Sequence, residues 1–224
     1  MASLFRDRRH AGRVLGDLVR RHLSADGATA LVLGIPRGGV VVASEVARAL
    51  GAELDLAVPR KLRAPYNPEL AVGAVAEDGS VYVDERVTTS LRVPPEYLQQ
   101  EVAFQLEEIR RRLQAYRQDR PAPQVSGRTV VLVDDGIATG STMVAAVRSV
   151  RRRGAARVVV AVPVAPPEAV RRLRTEGCEV LCVREEPLFV AVGQFYEDFT
   201  QVSDEEVQAL LQEFWQKKEA GGGP

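Results

Sequence analysis

Cysteine is nearly missing from this chain: 224 residues hold two, Cys178 and Cys182. They stand four apart in the strand-like run GCEVLCV, on one face but too far apart to bridge to each other. A disulfide scaffold is thereby set aside, and small buried thiols in a reducing compartment are the expectation. Excess charge is missing as well. Lys+Arg and Asp+Glu each count 30, so no net charge steers the whole molecule towards nucleic acid or a membrane, and a basic site must be local. No apolar run approaches a membrane span, and the opening MASLFRDRRHAGRV has no signal-like apolar segment. The expectation is a soluble, cytoplasmic protein without a membrane partner. Repeats are absent, and so are the GxxxxGK[ST] and GxGxxG patterns, which argues against a P-loop nucleotidase and a dinucleotide enzyme.

What is present is an alternation of apolar runs and amphipathic stretches. Residues 7–23 carry Ala11, Val14, Leu15, Leu18 and Leu23 at helical spacing. TALVLGI (29–35) is a short continuous apolar run, the pattern of a strand covered on both faces. A helix over 40–50 follows, then strand-like LDLAVPR (54–60). The segment 69–84 alternates around an Asp-Gly turn signal, which predicts a hairpin over 71–84. Residues 95–118 predict a long helix with Leu98, Val102, Leu106, Ile109, Leu113 and Tyr116 in one stripe. Glu107 with Arg111 and Glu108 with Arg112 support it at i,i+4. The stripe is suited to covering the sheet or to contact between two copies in a homodimer. Strands at 129–135, 157–164 and 179–183 then alternate with helices at 140–153 and 167–176. Ser203 to Glu206 form a capping box for a last helix reaching about 217. The expected fold is one α/β domain, a parallel β-sheet flanked by helices on both faces, spanning the chain.

The most informative stretch runs from Val130 to Thr142: a buried strand, the pair Asp134-Asp135, then Gly136, Ile137, Ala138, Thr139, Gly140, Ser141 and Thr142 opening a helix. Ligands of parallel sheets bind beyond the carboxyl ends of strands. Backbone N–H groups and hydroxyls at a helix start cradle a phosphate. Two carboxylates beside such a cradle would repel the ligand unless they face hydroxyls or a metal. Asp134 and Asp135 therefore suit a vicinal diol, and Mg²⁺ through its waters.

This run resembles the 5-phosphoribosyl 1-pyrophosphate (PRPP) signature of the type I phosphoribosyltransferases, with Ser141 where glycine is more usual. Other elements that resemble the family follow in the expected order. Gly34-Ile35-Pro36-Arg37-Gly38-Gly39 is similar to its pyrophosphate loop, which implies a cis bond between Pro36 and Arg37. The breaker-rich segment 61–70 falls where relatives carry a flexible loop, the antiparallel hairpin of about 60–84. There Arg60, Lys61 and Arg63 would meet the leaving pyrophosphate and Tyr66 would shield the site. Residues 186–201 resemble the small hood, with Phe189 stacking on an acceptor and Val190 and Ile137 beside it.

The resemblance implies Mg²⁺-dependent transfer of the phosphoribosyl group to a nitrogen acceptor, a nucleobase first. Asp134, Asp135, Lys61 and Glu69 would be catalytic. Arg37, Gly38, Gly39, Arg63, Ala138, Thr139, Gly140, Ser141 and Thr142 would bind PRPP. Two departures bear on the acceptor. Ala138 replaces the aspartate of 6-oxopurine enzymes, and AVPVAPPEA lacks their lysine. Adenine enzymes share the alanine and use a loop carboxylate, of which Glu69 is the analogue. A PRPP-binding regulator without turnover is the alternative. The arginine runs 110–112, 151–153 and 171–174 read as solvated helix faces rather than nucleic-acid contacts.

Overall fold

Apolar runs of β-branched residues become the central strands, and each interruption by glycine, proline or charge becomes a loop or a helix start. The computed structural model describes residues 4–221; the side chains at 25, 26, 28, 69 and 217–221 lie outside that description. In chain order the elements are α1 (Arg8–Leu23), β1 (Leu31–Gly34), α2 (Gly38–Leu50), β2 (Glu53–Leu56), β3 (Arg60–Ala64), β4 (Asn67–Val75), β5 (Val81–Val83), α3 (Glu85–Ser90) and α4 (Pro95–Arg117). There follow β6 (Thr129–Val133), α5 (Ser141–Arg152), β7 (Arg157–Ala165), α6 (Pro167–Thr175), β8 (Glu179–Glu185) and α7 (Asp204–Gly221).

Five strands form one parallel sheet in the order β2-β1-β6-β7-β8, as the alternation predicts. Its two faces are covered by different helices, so neighbouring residues of one strand enter different cores. Val32, Val131, Val133 and Val159 join α1, α2 and α7 residues such as Val19, Val46 and Leu211 in one cluster. Leu31, Leu33, Val130, Leu132 and Val160 join Val144, Val147 and Leu173 of α5 and α6 in the other. The chain leaves β1 towards β2 on one side and β6 towards β7 on the other. The reversal point of the sheet therefore lies between β1 and β6, the position at which ligands of parallel sheets bind.

Strands β3, β4 and β5 form a separate antiparallel sheet. The Asp-Gly turn is present, with Ala76 N–H donating to Ser80 O at 2.9 Å and Gly79 at φ +80. Residues 61–70, which fall where the family carries its flexible-loop hairpin, are mostly strand. Pro65 and Tyr66 make the turn, and register shifts around Arg63 accommodate the irregular pairing. The short helix α3 follows the hairpin, started by Asp84, whose side chain accepts from Arg86 and Val87 N–H.

The long helix faces inward. Ile109 and Tyr116 are buried, and Leu98, Val102, Leu106 and Leu113 pack against the first core. The i,i+4 pairs expected on it are not the ones formed. Arg110 pairs with Glu107, and Arg111 with Glu108 at 3.0 Å, both at i,i+3, so Glu108 is taken by Arg111. The last helix begins as its capping sequence predicts, with Glu206 N–H donating to Ser203 Oγ at 3.1 Å. Both cysteines are free, and burial pushes each thiol up to about 11.

Candidate active site

Parallel pairing of β1 with β6 sets Gly34 beside Val133, so the loops that follow the two strands emerge side by side. Ile35 N–H donating to Val133 O at 2.9 Å carries the contact one residue further. The first loop then turns through Pro36-Arg37, whose peptide bond is cis, into the start of α2. The second presents Asp134 and Asp135 immediately beyond the last residue of β6.

The two loops touch through Gly38 and Gly39. A Cβ on Gly38 would stand 2.0 Å from Asp135 Oδ2, and one on Gly39 2.9 Å from both Asp134 Cα and Val133 O. Only glycine lets the backbones approach this closely. The predicted pyrophosphate loop and the predicted acidic pair are thus brought into contact, although about a hundred residues separate them in the chain.

Each carboxylate is held in place. Asp134 Oδ1 accepts the N–H of Asp135 at 2.8 Å. Burial first, and the neighbouring Asp135 charge second, push the Asp134 carboxyl well above the usual carboxylate range. Asp135 Oδ2 accepts from Arg8 Nε at 2.7 Å, with both side chains only 11% and 15% exposed. Arg8 also donates to Thr200 O at 2.8 Å and lies 3.8 Å from the centre of the Phe199 ring. Tyr196 Oη donates to Asp135 O at 2.5 Å, and burial raises its own hydroxyl pKa. Arg8, Tyr196 and Phe199 are the site residues that sequence reading missed. Arg8 is one of five arginines in the first twenty residues, and nothing in its spacing sets it apart.

Beyond the acidic pair, Gly140 adopts φ +82 as the residue before α5, a left-handed conformation that glycine takes without strain. Ala138 and Thr139 are exposed, and the Thr139 and Ser141 hydroxyls lie 3.4 Å apart at the helix start. Arg172 of α6 donates to Thr139 O at 3.1 Å and fixes the outer edge of the loop. Ile137 is only 4% exposed, its side chain in the second core and its N–H on Val164 O.

The hairpin brings its basic residues to different places. Lys61 is exposed on β3. Arg60 Nε donates to Gln105 Oε1 of α4 at 3.0 Å. Arg63 is gripped by Glu101 of α4, Nε to Oε1 at 2.8 Å and Nη2 to Oε2 at 3.2 Å. Tyr66, at the turn, is 98% exposed. The Glu69 side chain lies outside the described residues. In the hood, Phe189 packs on Phe195 with ring centres 5.1 Å apart, as part of a small cluster with Phe5 and Tyr196. Val190 is exposed, and its N–H donates to Gln194 Oε1 at 2.9 Å. The hood is pinned by the N-terminal segment, with Leu4 and Phe5 N–H both on Phe195 O.

A loop that opens a helix at Gly140, the acidic pair Asp134-Asp135 and the bare backbone of Gly38-Gly39 thus meet at the reversal point of a parallel sheet. Residues 8–200 match the family model of the phosphoribosyl transferase domain, and the chain belongs to that family. A crystal structure of a Thermus thermophilus protein, 48% identical, superposes with a TM-score of 0.78 over 94% of this chain and 98% of that one. A Mycobacterium tuberculosis protein assigned by name to the phosphoribosyl transferases is 45% identical over 209 residues, 93% of this chain and 46% of that protein. The chain thus spans about half the length of this curated relative. A local match, 49% identical over 59 residues (25% of this chain and 33% of that protein), links it to the adenine phosphoribosyltransferase of Marinobacter nauticus.

Proposed function

We propose that this chain transfers the 5-phosphoribosyl group from PRPP to a nitrogen acceptor, a nucleobase in the first instance, and releases pyrophosphate. The observation that carries this reading is the contact of Gly38 and Gly39 with Asp134 and Asp135 beside the helix start at Gly140. One ligand carrying a diphosphate, a diol and a terminal phosphate can engage all three elements together. In this reading the N–H groups and hydroxyls of residues 138–142 hold the 5′-phosphate. Asp134 and Asp135 accept from the ribose hydroxyls, and the backbone of 37–39 lies along the diphosphate. Lys61, on the exposed edge of the hairpin, approaches the leaving group as the hairpin closes and excludes water.

The chemistry breaks a C–O bond at an anomeric carbon and forms a C–N bond there, so the protein's task is positioning and neutralising the leaving diphosphate. Among the described residues no cluster of three or more His, Cys, Asp or Glu is placed to hold a metal ion. Mg²⁺ fits this donor set, because it keeps several waters and needs one or two carboxylates plus substrate phosphates. Asp134 and Asp135 would hold it through water, and it would supply charge neutralisation to the diphosphate. Asp134 acts on the ligand, whereas Asp135 acts in part through Arg8.

The test is pyrophosphate release from PRPP across a panel of purines, pyrimidines and small amines, with and without Mg²⁺. Release with one acceptor, lost in Asp134→Asn, is the expected result. PRPP binding without release across the panel would replace the transferase with a PRPP-responsive binding protein. No PRPP binding would refute the site.

A further inference from the structure

Helix α4 carries a feature that the phosphoribosyl site does not absorb. Between its C-terminal half, the cis peptide and the start of α7 lies a cleft of about 220 Å³, lined by Pro36, Arg37, Arg111, Arg112, Tyr116 and Asp204. Drug-sized ligands occupy roughly 300–1,000 Å³, so this volume suits a small ion. Its charge is unbalanced. Arg37 reaches Asp204 only at 4.0 Å, and Asp204 Oδ1 is already accepting from Tyr116 Oη at 2.6 Å. Glu108, the carboxylate expected to serve Arg112, pairs with Arg111 instead. Arg112 Nε is buried and has no hydrogen-bond partner among the described residues. Arg60 adjoins the same cluster. Its pKa is lowered first by burial and next by the Arg112 charge, and its Nε is matched only by the neutral amide of Gln105.

In the lining three arginines, Arg37, Arg111 and Arg112, therefore face one carboxylate, Asp204, which Tyr116 already engages. A buried donor without a partner costs free energy, and crowded guanidinium groups repel, so the cleft is complementary to an anion carrying more than one charge. It opens beside Pro36-Arg37, on the loop that packs against the acidic pair. We propose that Arg112, supplied by α4, is a diphosphate-binding residue, and that the cleft it lines with Arg37 takes the pyrophosphate end of the ligand. This rests on the phosphoribosyl reading above and adds to it a cation from a helix to which the sequence assigned no role. It also explains why α4 runs so far beyond the hairpin it supports. Its first half grips Arg60 and Arg63 through Gln105 and Glu101, and its last turns deliver Arg112 to the loop.

Titration calorimetry of the full chain with inorganic pyrophosphate and, separately, ribose 5-phosphate tests this at fixed ionic strength. The native chain is expected to bind both. Arg112→Met should weaken pyrophosphate by about 10- to 100-fold, the range of a charged hydrogen bond, and leave ribose 5-phosphate unchanged. Arg112→Lys, which keeps the charge and the stem, should fall between and guards against a folding defect in the first variant. Arg110→Met removes the same charge from the exposed side of α4 and should shift pyrophosphate affinity by less than about 3-fold. Unchanged pyrophosphate binding in Arg112→Met overturns the assignment, as does an equal loss in Arg110→Met. A native chain that binds ribose 5-phosphate but not pyrophosphate overturns this inference alone. One that binds neither ligand refutes the phosphoribosyl site itself.

Discussion

Replacing Arg117 by Met should be among the most destabilising single changes in this protein. The guanidinium is 6% exposed at the end of α4 and ties that helix to the sheet. Its Nε donates to Asp55 Oδ1 at 2.9 Å and its Nη2 to Leu56 O at 2.7 Å, while Nη1 lies 3.5 Å from Glu77 Oε2 on the hairpin. Methionine preserves much of the stem and removes the charge. Glu77 keeps Arg153 at 2.7 Å, so most of the cost falls on Asp55, which is 3% exposed and would retain the N–H of Leu56 and little else. Breaking one side of a buried pair costs about 3–5 kcal/mol, and for a chain of this length that is roughly 6–20 °C in Tm.

The pH dependence fixes the cause. Burial already raises both the Asp55 and the Glu77 carboxyl in spite of Arg117. A carboxyl whose pKa is higher folded than unfolded makes the folded state bind more protons, so stability falls as pH rises between the two values. Without Arg117 both folded values move further up. The loss should therefore be largest near about pH 8 and shrink towards about pH 5, where the stranded carboxyls take up protons. Urea denaturation of the native chain and the variant at both pH values measures it. A loss under about 1 kcal/mol, the scale of an exposed pair, or one that does not diminish on acidification, would refute the buried-charge argument.

Two further changes probe the site. Arg8→Met removes the cation between Asp135, Thr200 and the Phe199 ring, so the hood should loosen at a cost of about 2 kcal/mol. Faster amide hydrogen exchange across 192–200 is the readout, and unchanged protection there would show that Arg8 does not hold the hood. Gly39→Ala places a methyl against the Asp134 backbone and Val133 O, two neighbours that cannot swing away. It should cost about 1–3 kcal/mol and abolish PRPP binding. Gly79→Ala, at φ +80 with nothing within 4 Å, should cost about 1 kcal/mol through backbone strain and leave PRPP binding intact.

The sequence by itself determined the parallel sheet, the Asp-Gly turn, the helix starts and the loops at the strand ends. These are short-range features, in which a period of two or 3.6 residues and a glycine or carboxylate at a fixed offset carry the information. The resemblance carried by residues 34–39 and 130–142 also implied that these two loops serve one ligand. Tertiary structure alone decided which charges meet. Arg8 reaches Asp135 across 127 positions, and no local pattern distinguishes it from its neighbouring arginines. Residues 61–70 carry the prolines of a loop, yet the pairing of β3 with β4 and the grip of α4 on Arg60 and Arg63 place all but the turn at 65–66 in strands. On α4 the helical spacing permits Glu108 to serve either Arg111 or Arg112. The packing decides the matter: Arg111 takes the carboxylate at the surface, and Arg112 is left in the cleft that it lines with Pro36 and Arg37. Long-range charge pairing depends on which surfaces the packing brings within a few ångströms, a distance that the order of residues along the chain does not contain.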